Sequence, residues 1–122
     1  MPSRHSDFEP ESLLPLPQAA FHILVALAQG DRHGYAIMQD VAAGTDGNLK
    51  LNPGTLYTTI RRLLEQGLVI ELDERPDPEE DDERRRYYRL TAIGREVAKA
   101  EAARIQQTLA FARQAGLVQK RG

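Results

Sequence analysis

Asn52-Pro53-Gly54-Thr55-Leu56-Tyr57-Thr58-Thr59-Ile60-Arg61-Arg62-Leu63-Leu64-Glu65-Gln66-Gly67-Leu68-Val69 is the stretch on which the reading of this chain turns. Asn52 carries the short acceptor favoured at a helix N-cap. Pro53 suits the first helical position, where its missing N–H is not needed, and Gly67 can take the left-handed conformation that ends a helix. At about 100° per residue, Leu56, Ile60, Leu63 and Leu64 fall on one stripe, and Gly54, Thr55, Thr58, Arg61 and Arg62 fall roughly opposite. One face is built to pack and the other to touch a partner. Small hydroxyl side chains allow close approach, and the guanidinium groups that follow suit phosphates and guanine edges, as a helix entering a DNA major groove requires. The stretch reads as a recognition helix, with Asn52, Gly54, Thr55, Thr58, Arg61 and Arg62 turned to DNA. Tyr57 lies at the edge of the packing stripe, and two roles are open to it: a ring wholly in the core, or a packed ring whose hydroxyl reaches a phosphate.

Upstream, Ala20, Phe21, Leu24, Val25, Leu27 and Ala28 recur at helical spacing from Gln18 to Gly30, which predicts a first helix of about three turns. Asp31-Arg32-His33-Gly34 reads as a turn, and Tyr35, Ile37, Met38, Val41 and Ala42 as a shorter helix closed by Gly44. After a loop, Leu49-Lys50-Leu51 alternates as a very short strand would. Downstream, Leu68 to Leu72 and Arg85 to Leu90 have strand character and flank a run broken by Pro76 and Pro78, which predicts a hairpin. Thr91 is placed as the N-cap of a long helix running to about Ala115, with Gly116 to end it. Along that helix Ile93, Val97, Ala100, Ile105, Leu109 and Ala112 lie near one stripe. The helix is too long and too one-sided for so small a core, so its stripe is expected to pair with a second copy.

The order is helix, helix, helix, hairpin, long helix. The fold class is mainly α with a small β-hairpin wing: a winged helix-turn-helix plus a C-terminal dimerisation helix. Residues 1–17, with four prolines, are expected to form an N-terminal arm with a turn near Glu11 to Leu14; residues 18–90 form the DNA-binding domain, and 91–122 the dimerisation helix and tail.

At 122 residues, 41% apolar and 28% charged, the chain suits one soluble domain, and its seven aromatics without Trp make a modest core. No apolar run approaches a membrane span and the start lacks the apolar core of a secretion signal, so a cytoplasmic protein is expected. The absence of cysteine excludes thiol chemistry and disulfides. His5, His22 and His33 have no partner at ligand spacing, and no catalytic constellation or glycine-rich phosphate loop is present, so neither a metal, a cofactor nor an enzyme is expected. The net charge of -2 hides an uneven distribution: residues 71–83 hold nine acids and one base, and the remainder carries +6. Two roles are open to Arg84, Arg85 and Arg86 at the wing base: holding phosphates, or neutralising Asp81, Asp82 and Glu83 across the loop.

The residues resemble the PadR family of bacterial transcriptional regulators. The resemblance rests on His33-Gly34-Tyr35 opening the second helix, on Asn52-Pro53-Gly54-Thr55-Leu56-Tyr57 opening the third, on Arg61-Arg62-Leu63 with Gly67-Leu68-Val69 at its end, and on Arg85-Arg86-Tyr87-Tyr88-Arg89-Leu90-Thr91 with Gly94-Arg95. It covers residues from about 18 to 100. It implies a winged helix-turn-helix and a dimer built through the terminal helices. It also implies repression of a neighbouring gene from an inverted-repeat operator in double-stranded DNA, until a small apolar molecule or other signal releases it. Within these motifs His33, Tyr35, Tyr57, Arg85 and Arg86 join the residues expected at DNA. The competing reading is a winged-helix protein-interaction module whose acidic wing meets a basic partner. Two features depart from the family pattern: the wing is long and acidic, and there is no Trp to line an aromatic slot at the dimer centre.

Overall fold

A buried first helix forms the centre around which the other elements are hung. The computed structural model describes residues 8–72 and 86–119. The elements follow as a short 3-10 helix (Pro10–Leu13), α1 (Gln18–Ala28), β1 (Arg32–His33), α2 (Gly34–Gly44), α3 (Pro53–Glu65), β2 (Val69–Leu72), β3 (Tyr87–Leu90) and α4 (Ala92–Gln114). Ile23, Leu24 and Leu27 of α1 meet Ile37 and Val41 of α2, Leu56, Ile60 and Leu63 of α3, and Val97 of α4 in one apolar cluster. This is a winged helix-turn-helix, mainly α with a small β-sheet. Among the described residues, no helix is long and apolar enough to cross a membrane.

The ends of α3 fall where its capping residues place them. Asn52 Oδ1 accepts the Thr55 N–H at 2.8 Å, and Pro53 occupies the first turn. At the other end Gly67 has φ 77°, a left-handed geometry that glycine adopts without strain. The Leu68 N–H then reaches the Leu63 carbonyl at 3.0 Å and the Gly67 N–H that of Leu64 at 3.1 Å, closing the helix. The chain passes directly into β2.

The sheet corrects the sequence reading in two places. Leu49-Lys50-Leu51 is not a strand: Leu51 is buried in the core and Leu49 packs beside it, so the alternation reflects core contact without a ladder. The third strand is instead Arg32–His33, read from sequence as part of a turn, which pairs antiparallel with β3 (Arg32 with Tyr88, His33 with Tyr87). The strand order is β1-β3-β2, with β2 and β3 forming the expected hairpin (Val69 with Leu90, Leu72 with Tyr87). Burial, together with the Glu71 carboxylate, pushes the Tyr88 phenol up to about 12, so it remains neutral beneath the sheet. The acidic wing run from Asp73 onward, with Arg84 and Arg85, lies outside the described residues. Gly44 also differs from expectation: it is the last helical residue of α2, and the left-handed positions after it are Asp46 and Gly47, whose N–H reaches the Ala42 carbonyl at 2.7 Å.

The start of α4 is fastened to the end of α3. Thr91 Oγ1 accepts the Gly94 N–H at 2.9 Å and donates to the Gly67 carbonyl at 2.8 Å. At Gly94 the Leu68 carbonyl lies against the Cα, in space that a Cβ would need. The residues before α1 are also docked. Leu16 is buried in the core, and Glu101, only 2% exposed, accepts its N–H at 3.3 Å while pairing with Arg104 at 2.7 Å. The segment from Pro10 to Leu16 is therefore a strap across α4, in place of an arm outside the core.

Replacing Gly94 with Ala forces either α4 or the α3–β2 turn to move, and the expected loss is about 1–3 kcal/mol in chemical denaturation. The hydrogen bond from Arg104 holds the Glu101 carboxyl below the usual carboxylate range, against the opposing effect of burial. A lowered folded pKa means stability that is fully present above the unfolded carboxylate value, about 4.3, and is lost as pH falls through the folded value. Denaturation of the wild type and Glu101→Gln should therefore show a stability gap at neutral pH that closes as the pH is lowered toward 3.

Candidate nucleic-acid interface

The two faces of α3 are separated as its periodicity requires. Leu56, Ile60 and Leu63 are fully buried, whereas Gly54, Thr55, Thr58, Arg61 and Arg62 are exposed along one side. Asn52, also exposed, has its side chain committed to the cap. The nearest atom to a Cβ at Gly54 would be Asn52 Oδ1 at 3.3 Å, so the chain itself leaves this site nearly open. The first turn can approach a flat or grooved surface closely.

Among the described residues, charge pairing distinguishes the arginines of α3 from those of the sheet. Arg32 bonds Asp40 at 2.8 Å, Arg86 bonds Glu71 at 2.7 Å, and Arg89 holds Asp31 through two bonds of 3.1 and 2.9 Å. The Arg89 hydrogen bond, opposed by slight desolvation, lowers the Asp31 carboxyl from its ordinary value. Among the described residues, Arg61 and Arg62 have no such acidic partner. Their charge is available to an anion from outside. Lys50, exposed two residues ahead of the Asn52 cap, adds to the same end of the helix; it was not among the expected residues, and its signal is only a lysine beside a helix start.

His33, Gly34, Tyr57 and Tyr87 come together behind this face. His33 is the N-cap of α2: its Nδ1 accepts the Ala36 N–H at 3.2 Å, and its ring stands edge-on to Tyr87 at 5.3 Å between centroids. That nitrogen is thus engaged in the fold. The Tyr57 hydroxyl lies against the backbone of Gly34, in space a side chain there would fill, so the ring is a spacer between α2 and α3. Tyr35, one residue on, points outward and is 60% exposed. Arg86 is exposed at the base of the hairpin but carries its Glu71 partner, and Arg85 lies outside the described residues.

The six residues expected on one dimer stripe of α4 do not share a face. Val97 is 0% exposed and belongs to this chain's own core, with Ala100 half-buried and Ile93 at its edge. Ile105, Leu109 and Ala112 lie about 120° further round at 100° per residue. The two sets belong to successive halves of the helix, one packed and one projecting. Phe111 and Leu117, 74% and 78% exposed, are large apolar side chains that the stripe omitted. Among the described residues, no group of three or more His, Asp or Glu side chains converges as a metal site would require.

Known proteins with the same pattern carry the assignment further. The model of the transcriptional regulator PadR-like family matches residues 23–100. The chain is similar to an uncharacterized 37.1 kDa protein in transposon TN4556 of Streptomyces fradiae, 39% identical over 80 residues, which are 66% of this chain and 21% of that protein. It is also similar to an uncharacterized protein X of Lysinibacillus sphaericus, 34% identical over 73 residues, 60% of this chain and 64% of that protein. The chain thus spans about a fifth of the first relative and under two thirds of the second. Among solved structures it is similar to a transcriptional regulator from Clostridium thermocellum, with a TM-score of 0.66, 26% identity, and 79% of this chain and 87% of that one covered. With the family pattern spanning the helices, the hairpin and the start of α4, the chain belongs to the transcriptional regulator PadR-like family.

Proposed function

We propose that the protein is a dimeric, sequence-specific DNA-binding repressor that places α3 in the major groove of an inverted-repeat operator. The observation that carries this reading is that, among the described residues, Arg61 and Arg62 are unpaired on an otherwise small, hydroxyl-bearing face, whereas Arg86 and Arg89 of the sheet are paired with acids. Thr55 and Thr58 are short enough to approach base edges, and the two guanidiniums and Lys50 supply phosphate contacts or guanine readout. Tyr35 and Arg86 flank this face, on α2 and on the wing base. In a twofold dimer the half-sites would lie about one helical turn apart.

The second copy would sit on the projecting half of α4, where Ile105, Leu109 and Phe111 are exposed. An open groove of about 680 Å3 runs between the strap and this half of α4, lined by Leu14, Ala100, Ala103, Arg104 and Gln107 among others. A partner helix laid over it would roof the groove, which gives a small apolar effector a place to act on the spacing of the two recognition helices.

Replacing Arg61 and Arg62 together by Ala is expected to weaken binding to a duplex from the gene's own upstream region at least tenfold. The salt slope should fall by about one for each phosphate that the truncated side chains can no longer reach. Sedimentation should show the dimer unchanged. An unaltered affinity and salt slope in that titration would remove α3 from the interface.

A further inference from the structure

Glu65 shares the outward stripe of α3, and its charge is opposite to that of everything else there. At about 100° per residue Gly54, Thr58, Arg61 and Glu65 fall within an arc of about 60°, facing directly away from Leu56, Ile60 and Leu63. All four are exposed. Among the described residues neither Arg61 nor Glu65 has an ion-pair partner, and they do not pair with each other; an arginine four residues ahead of a glutamate is the less favourable order for such a bridge. The carboxylate is therefore free at the surface that the preceding reading puts against DNA.

We propose that Glu65 is a specificity-determining residue that accepts a hydrogen bond from the exocyclic amino group of a cytosine. The inference rests on α3 being the DNA-facing helix. A carboxylate only accepts hydrogen bonds and is repelled by phosphate, so its attractive partners in a major groove are amino groups. Guanine offers two acceptors there and thymine one, and adenine sets its N7 acceptor beside the amino group; cytosine alone presents an amino donor with no acceptor on its own major-groove edge. Arg61 and Glu65 are about 6 Å apart along the helix axis, close to two base-pair steps of about 3.4 Å. Arg61 over a guanine would thus set Glu65 over a base about two pairs away. Glu65 and Arg61 together define a guanine-and-cytosine signature in each half-site.

Selection of bound duplexes from a random pool tests this, with the wild type, Glu65→Gln and Arg61→Ala side by side and helix content checked by circular dichroism. The wild type should select a half-site with a guanine and, about two pairs from it, a cytosine. With Glu65→Gln the preference for that cytosine should fall about tenfold and move toward adenine, which a glutamine can contact at both N6 and N7. Arg61→Ala should erase the guanine and leave the cytosine. If Glu65→Gln tightens binding to all sequences alike while the cytosine preference persists, the carboxylate only repels phosphate and the inference is overturned. If the wild type selects no sequence, the reading of the protein as a sequence-specific DNA-binding regulator fails, and this inference with it.

Discussion

Burial of Leu56, Ile60 and Leu63 against α1 is the interaction on which the rest of the molecule depends. Each of these side chains is withdrawn from water almost completely, a gain of about 1.5–3 kcal/mol apiece. Three of them on one stripe set the roll of α3 about its axis, because a rotation by a single residue would expose apolar surface and press arginine into the core. The caps at Asn52 and Gly67 set where the helix begins and ends, so both its roll and its length are determined. The outward placement of Thr58, Arg61 and Glu65 is a consequence of what the opposite side must bury.

The wing and the N-terminus of α2 are joined behind α3 by contacts of a different kind. His33 caps α2 and rests on Tyr87, and the Tyr57 hydroxyl fills the space beside Gly34. Three elements meet at two adjacent residues, so the angle between α2 and α3 and the position of the hairpin are set together. Arg89, in the middle strand of the sheet, is held by Asp31 from the turn after α1. The Arg89–Asp31 and Arg86–Glu71 pairs are exposed and contribute modestly to stability, but they hold those two arginines near acids of the same chain. Arg61 and Arg62 on α3, by contrast, have no acidic partner among the described residues.

The long helix serves two surroundings in turn. Its first half is anchored by Gly94 against the Leu68 carbonyl, by Val97 in the core, and by Glu101, whose carboxylate holds both Arg104 and the strap. Beyond Glu101 nearly every residue is exposed, and the apolar side chains no longer keep to one side: Ile105 and Leu109 lie away from the packed stripe, while Phe111 continues its direction. A helix that leaves its own core is no longer bound to a single direction by it. The strap, which runs from Pro10 to Leu16, is what makes the junction between the halves a groove.

The local sequence by itself determined α3, the hairpin strands and α4. Their caps and stripes involve residues within a few positions of one another, where spacing and hydrogen-bonding capacity leave few alternatives. Only the tertiary structure decided the rest. The strand at Arg32–His33 exists because β3 supplies its ladder, the strap docks through a bond from Leu16 to Glu101 spanning 85 positions, and Arg89 is neutralised by Asp31 from 58 positions away. The cap that His33 makes on α2 is fixed the same way, since Tyr87 on the neighbouring strand holds its ring. Periodicity, counted at about 100° per residue, separates Val97 from Ile105, but it could not say where the core ends along α4. That boundary depends on how far α1 and the strap extend, and it separates residues that bury in this chain from residues that face outward.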